Sequence, residues 1–256
     1  MLALLLAGAA LLLVLAPSSG TENAGTGDAE AAFEARVRAY ILAHPEIIPE
    51  AIGALKQRER AGEDQRQREA ATALWDLIAH DDLSPVLGNP DAAVTFVEFY
   101  DYRCSFCRRS YPDVKRLLAE HEDDVRFVFR QFPVIDAPGD SGGVSHIAAR
   151  AAIAADRQGH FRAFHDALMT AGGRLDRKRI LAIAAGIGLD TARLEQDMRD
   201  PAIDRYIEDT LRLADAVGIN ATPTYVFEGR VLTGARGYAA LQALIAAGPA
   251  ATAATE

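Results

Sequence analysis

The chain has 256 residues, of which 50% are hydrophobic and 25% charged, with a formal net charge of −9 at pH 7. That length holds one domain with a sizeable core plus an accessory segment. An acidic chain repels phosphate backbones, which excludes nucleic acid as a partner, and no period of repeat length is present, which sets aside solenoids and propellers.

Leu2 to Ala16 is apolar without exception and leads into Pro17-Ser18-Ser19-Gly20. The run falls short of the ~20 residues that cross a bilayer. Before small residues it reads as a secretory signal over residues 1–20, with an uncleaved anchor as the alternative, and the expected location is the periplasm. No Lys or Arg precedes the run and the first basic residue is Arg36, a departure that fits a start further upstream. No Cys directly follows it, so lipid attachment there has no acceptor.

Residues 21–28 are small and polar, a linker. Phe33, Val37, Tyr40 and Ile41 recur at helical spacing, and His44-Pro45 interrupts them. Ile47, Ala51 and Leu55 open a second helix. Lys56 to Glu69 holds no side chain more apolar than Ala, so it is either a solvated helix or a hinge around Gly62. Leu74, Trp75, Leu77 and Ile78 close an N-terminal helical segment spanning 29–80.

Residues 81–91, with Pro85, Gly88, Asn89 and Pro90, form a loop. Val94 to Tyr100 is nearly all apolar and β-prone, a central strand buried on both faces. A helix follows, carrying Cys107, Val114, Leu117 and Leu118. Val125 to Arg130 alternates apolar with polar, a second strand. Residues 142–218 are helical throughout, with Asp176, Asp190 and Asp200-Pro201 as helix starts. Thr224 to Leu232 is a hairpin turning at Glu228-Gly229, and a short helix over 238–246 precedes an Ala/Thr tail. The order β-α-β, helical insertion, β-β-α implies an α/β layered sheet.

The chain has two cysteines, Cys104 and Cys107, two residues apart. A loop that short gains little from a structural disulfide, so the pair reads as reactive. It lies directly after the buried strand, at the start of a helix, where unpaired N–H groups and a partial positive charge stabilise a thiolate. Cys104 is then the nucleophile and the more exposed sulfur; Cys107, a turn deeper, resolves. Half of a zinc site is the alternative, but zinc wants four ligands and no second Cys pair exists.

Glu98 to Cys107 (EFYDYRCSFC) resembles the active-site strand and turn of DsbA-type proteins. Ala221-Thr222-Pro223-Thr224 resembles their cis-proline loop, and Gln158 to Leu168 is similar to a helix of their inserted helical domain. Tyr40 to Ile48 resembles the ScsC-like and Com1-like branch, in which an N-terminal helical segment can drive oligomerisation. The likeness covers residues 84–247 and implies a thioredoxin fold with a helical insertion, preceded by the N-terminal helices. Ser105-Phe106 differs from the commoner dipeptides, which have Pro or Gly first and His or Tyr second.

The resemblance puts Pro223 beside Cys104 in a cis bond, where an ordinary proline opening a strand would be trans. Thr222 and Phe106 flank the dithiol as substrate contacts. Glu98 sits mid-strand between apolar residues, where a buried carboxylate near the dithiol would take the proton of Cys107 during resolution, and the resembled family carries an acid here; the plainer reading is a carboxylate pointing out at the strand end. His160 and His165 are at poor metal spacing on a helix, so structural roles are expected and no metal site is. No cofactor motif is present. The functions left are an enzyme that forms, reduces or isomerises disulfides, a copper-binding or chaperone-like binder using the same dithiol, and a cofactor-using transferase of the same fold. The expected partners are cysteine-containing exported proteins, a membrane redox partner and further copies of the chain.

Overall fold

The computed structural model describes residues 24–248. The expected signal at 1–20 and the tail at 249–256 lie outside them. Two compact units meet between Arg60 and Ala61.

The first unit holds α1 (Ala24–Ala43) and the opening part of α2 (Ile47–Ala73), separated at His44-Pro45. Its helices leave Phe33, Val37, Tyr40, Leu42, Ile52 and Leu55 exposed. α2 runs unbroken through Gly62, so the charged run Lys56 to Glu69 is helical and largely exposed.

The expected 29–80 segment is helical over most of its length and runs across the boundary between the units. Residues 61–80 belong to the second unit, because Ala71, Ile78 and Ala79 are fully buried in a core with Val97, Phe99, Val128 and Val226. That core includes α3 (Trp75–Ala79) and covers one face of a five-stranded sheet. The strands are β1 (Val86–Gly88), β2 (Val94–Tyr100), β3 (Val125–Gln131), β4 (Thr224–Phe227) and β5 (Arg230–Thr233), in the order β1-β3-β2-β4-β5. β2 and β3 are parallel and the other pairs antiparallel.

β1 was not expected. It is three residues long inside a Pro- and Gly-rich stretch, too short to carry a period. Gly88 ends it at φ +84, where a Cβ would run into the Val125 carbonyl. β3 also departs from the expected half-exposed alternation, since Arg130 is only 2% exposed. Its guanidinium donates to the Ile78 carbonyl at 3.0 Å, to the Leu77 carbonyl, and pairs with Asp81 at 3.3 Å. A buried cation is tolerable when every donor has such a partner.

α4 (Ser105–Glu120) and α10 (Tyr238–Ala247) pack on the other face of the sheet. They share that core with the inserted helices α5 (Val144–Asp156), α6 (Phe161–Thr170), α7 (Arg177–Gly186) and α8 (Thr191–Asp197). α9 (Pro201–Val217) returns along the opposite face through Ala214 and Val217. Asp176, Asp190 and Asp200 each accept a backbone N–H from the first turn of the following helix. The β4–β5 hairpin turns at Glu228 (φ 46) and Gly229 (φ 77), the left-handed pair that a two-residue turn requires. No helix among the described residues is long and apolar enough to cross a membrane.

Candidate active site

β2 ends at Tyr100, and Asp101-Tyr102-Arg103 turns the chain so that Cys104 is the N-cap of α4. Asp101 fastens this turn. Its carboxylate accepts the Arg103 N–H at 2.7 Å, the Ser145 hydroxyl at 2.9 Å and the Ile135 N–H at 3.0 Å. The Arg103 guanidinium donates to Asp136 at 2.5 Å, which also accepts the His146 N–H at 3.0 Å. Sequence reasoning missed this brace. Its signal was an Asp opening a turn, a side chain apt to bind the backbone two residues on.

Both cysteines are free; Cys104 is 6% exposed and Cys107 1%. The Cys104 thiol donates to the Thr222 carbonyl at 3.3 Å. Its pKa is drawn down to about 5, chiefly by a hydrogen bond from Cys107, with burial opposing. The Thr222 side chain and the N–H groups of Cys107 and Phe106 add to the lowering, as expected of a helix start. Cys107 goes the other way, held protonated by burial, by its bond to Cys104 and by the nearby Glu98. One sulfur is thus ready to attack while its neighbour keeps its proton.

Glu98 is 3% exposed in the middle of β2, so it does not point out at a strand end. Strand alternation puts it on the same face as Phe96 and Tyr100, towards α4. Burial raises its pKa to about 8; a hydrogen bond from Tyr225 opposes this and the charge on Cys104 adds to it. The Thr222–Pro223 bond is cis, with Pro223 buried and Thr222 half-buried. Phe106 is 55% exposed, with the Arg109 guanidinium 4.6 Å over its ring. Glu98, Phe106 and the Thr222–Pro223 loop therefore come together around the Cys104–Cys107 pair.

Residues 81–247 match the family described as Thioredoxin. The chain belongs to the thioredoxin family. Within it the likeness is to the DsbA and ScsC types, and residues 30–61 match the copper resistance protein ScsC N-terminal domain. This thioredoxin-family chain is similar to a thioredoxin-like oxidoreductase from Silicibacter pomeroyi DSS-3, at 38% identity over 70% of this chain and 98% of that one (TM-score 0.63). It is similar to ScsC of Proteus mirabilis at 27% identity over 88% and 99% (TM-score 0.63). It is also similar to the thiol-disulfide exchange protein alpha-DsbA2 of Wolbachia pipientis at 25% identity over 72% and 97% (TM-score 0.64). Among curated proteins it is 35% identical over 153 residues to the Na(+)/H(+) antiporter NhaA of Herminiimonas arsenicoxydans. There the chain spans about a quarter of the relative's length, 24%.

His165 is fully buried among Tyr100, Tyr102, Tyr111, Phe129 and Phe161, and burial holds its pKa down at about 3. Its Nδ1 lies 3.0 Å from the Tyr102 hydroxyl. His160 is exposed, and among the described residues no group of three or more His, Cys, Asp or Glu is placed to hold a metal.

Proposed function

We propose that the protein catalyses thiol–disulfide exchange on exported, cysteine-containing proteins. The observation that carries this is the Cys104 sulfur at the N-cap of α4, where donors from Cys107, the Thr222 side chain and the Cys107 and Phe106 N–H groups draw its pKa down to about 5. Thiolate fraction sets the rate of attack on a disulfide, and this sulfur is ionised at neutral pH. The similarity to a thioredoxin-like oxidoreductase and to a thiol-disulfide exchange protein supports the same chemistry.

In the oxidising direction a client thiolate attacks Cys104 of the Cys104–Cys107 disulfide. The S–S bond breaks with its electron pair on Cys107, which takes a proton from Glu98. A second client thiolate then attacks the client sulfur of the mixed disulfide, forming the client disulfide and expelling the Cys104 thiolate. Reduction is the same path reversed, and isomerisation begins with Cys104 attacking a client disulfide. Thr222 and Phe106 hold the client beside the sulfur and Pro223 shapes the loop. The apolar leader at Leu2 to Ala16 supports periplasmic work with a membrane redox partner. The exposed apolar face of α1 and α2 supports self-association through the first unit.

The test is reduction of insulin by dithiothreitol and reactivation of scrambled ribonuclease with the mature chain. Acceleration of either beyond the Cys104→Ala variant is expected; equal rates in both assays would overturn the reading. Capture of Cu(I) by the dithiol is a second reading, supported by the copper resistance name of the matched N-terminal domain. It is disfavoured by Cys107, which burial keeps protonated whereas a metal ligand must be a thiolate.

A further inference from the structure

Glu98 and Tyr225 face each other across the antiparallel β2–β4 pair. As cross-strand partners they hold the Tyr225 hydroxyl close enough to the Glu98 carboxylate to act as a donor that favours its ionised form. That hydroxyl also donates to Ser110 Oγ at 3.3 Å. Ser110 Oγ in turn donates to the Cys107 carbonyl at 3.1 Å. All three side chains are shut away from water, with Glu98 and Ser110 3% exposed and Tyr225 0%. A phenol has one proton, so Tyr225 cannot serve both acceptors at once.

We infer that Tyr225 is a positioning residue for Glu98, its one hydroxyl proton turning to the carboxylate when Glu98 is ionised and to Ser110 Oγ when Glu98 is protonated. This rests on the dithiol reading above and adds to it how the buried acid is reset. In resolution the Cys107 proton passes to the Glu98 carboxylate. The Cys107 sulfur bonds to Cys104, and the S–S bond to the client breaks with its electron pair leaving on the client thiolate. Tyr225 then swings to Ser110. A donor to the carboxylate favours its ionised form; a competing acceptor on α4 favours the protonated form. Tyr225 and Ser110 therefore pull the acid in opposite directions. The titratable groups facing Glu98 are Cys104 at the start of α4, Cys107 and Tyr111 on α4, Tyr102 in the turn after β2 and Tyr225 on β4. Its partner on β3 is Phe129, which does not titrate.

The experiment mixes the full reduced chain with excess 5,5′-dithiobis(2-nitrobenzoate) in a stopped flow. With two cysteines in the chain, two coloured thiolates are released. The second, in a phase independent of reagent concentration, reports Cys107 closing on Cys104. Its rate is followed against pH. Tyr225→Phe keeps the ring and removes the donor, so the midpoint of the profile should move up by about one unit, from the worth of a hydrogen bond to a charged group. At pH 7 the phase slows about tenfold accordingly. Ser110→Ala removes the competing acceptor, so the midpoint should move down. Glu98→Gln should abolish the limb. Packing damage alone would not shift the two midpoints in opposite senses. Unmoved midpoints, or two shifts of the same sign, would overturn the inference. A Glu98→Gln profile like that of the parent would overturn it too, leaving the dithiol reading intact. If the parent shows no concentration-independent second phase, the dithiol reading itself fails.

Discussion

The Cys104 thiol and Thr222 meet at 3.3 Å although 118 residues separate them, so the reactive sulfur is finished by a loop at the far end of the fold. The Thr222 side chain also favours the thiolate over the thiol. Thr222→Val keeps the branched shape and deletes the hydroxyl. The Cys104 pKa should rise from about 5 by roughly one unit, less than a fully buried charge-assisted bond would give. Thiolate absorbance near 240 nm, titrated in parent and variant, measures it. An unchanged midpoint would remove Thr222 from the account.

The division of labour between the two sulfurs predicts an asymmetry in trapping. Cys107→Ala leaves an activated Cys104 with nothing to resolve its mixed disulfides, so these should accumulate with reduced client proteins or glutathione disulfide. Cys104→Ala leaves a buried thiol, 1% exposed and held protonated. It should trap at least tenfold less, since its thiolate fraction at pH 7 is lower by more than one unit of pKa can account for. Equal trapping on non-reducing gels would reverse the assignment.

Much of this arrangement was legible because it is local. The apolar run Val94 to Phe99, the C-x-x-C after it and the Asp-capped helix starts all lie within short windows. The parts that escaped reading are long-range. Arg130 looked like the polar half of an alternating strand, and only the carbonyls of Leu77 and Ile78 make it a core residue. Tyr225 sat in a short β-prone strand, its hydroxyl the hint that a buried partner existed. β1 is shorter than any periodicity, and the Asp101–Arg103–Asp136 brace joins a turn to a loop more than thirty residues away.

Arg130 gives a stability test. It ties β3 to the last turn of α3 through two carbonyls and Asp81. Arg130→Met keeps the length of the side chain but leaves those acceptors buried without a donor. The cost should be about 3 kcal/mol, read as a lower urea midpoint at unchanged m-value. A loss below about 1 kcal/mol would mean that water reaches these carbonyls once the arginine is gone.

The apolar face of the first unit predicts self-association. Phe33 is 59% exposed, Val37 40% and Ile52 48%, a density of apolar surface that a solitary helix pair does not keep in water. The mature chain should scatter as an oligomer. Phe33→Glu with Val37→Glu should reduce it to a monomer, with the catalytic unit still folded by near-ultraviolet circular dichroism. A monomeric parent would show that this face is not a self-association surface.

Redox direction follows from the Cys104 pKa. The thiol's ordinary value of 9 is lowered to about 5 in the fold. Because the folded value is the depressed one, the stabilisation of the reduced protein is full above pH 9 and shrinks by about 1.4 kcal/mol per unit as pH falls below it. Below about pH 5 it is gone. At pH 7 two of the four units remain, an upper bound of about 2.7 kcal/mol. Solvent beside the exposed Phe106 screens part of the charge, so about 1.5 kcal/mol is the expected gap. The buried acid does not cancel it, because Glu98, with a pKa of about 8, is mostly uncharged at pH 7. A gap of that size makes the disulfide more oxidising by about 30 mV than an unperturbed pair. Urea melts of the oxidised and reduced chain should therefore favour the reduced form at pH 7, and the difference should close at pH 4.5. An oxidised form more stable at pH 7 would contradict an activated Cys104 thiolate and make the protein a reductant in the manner of thioredoxin.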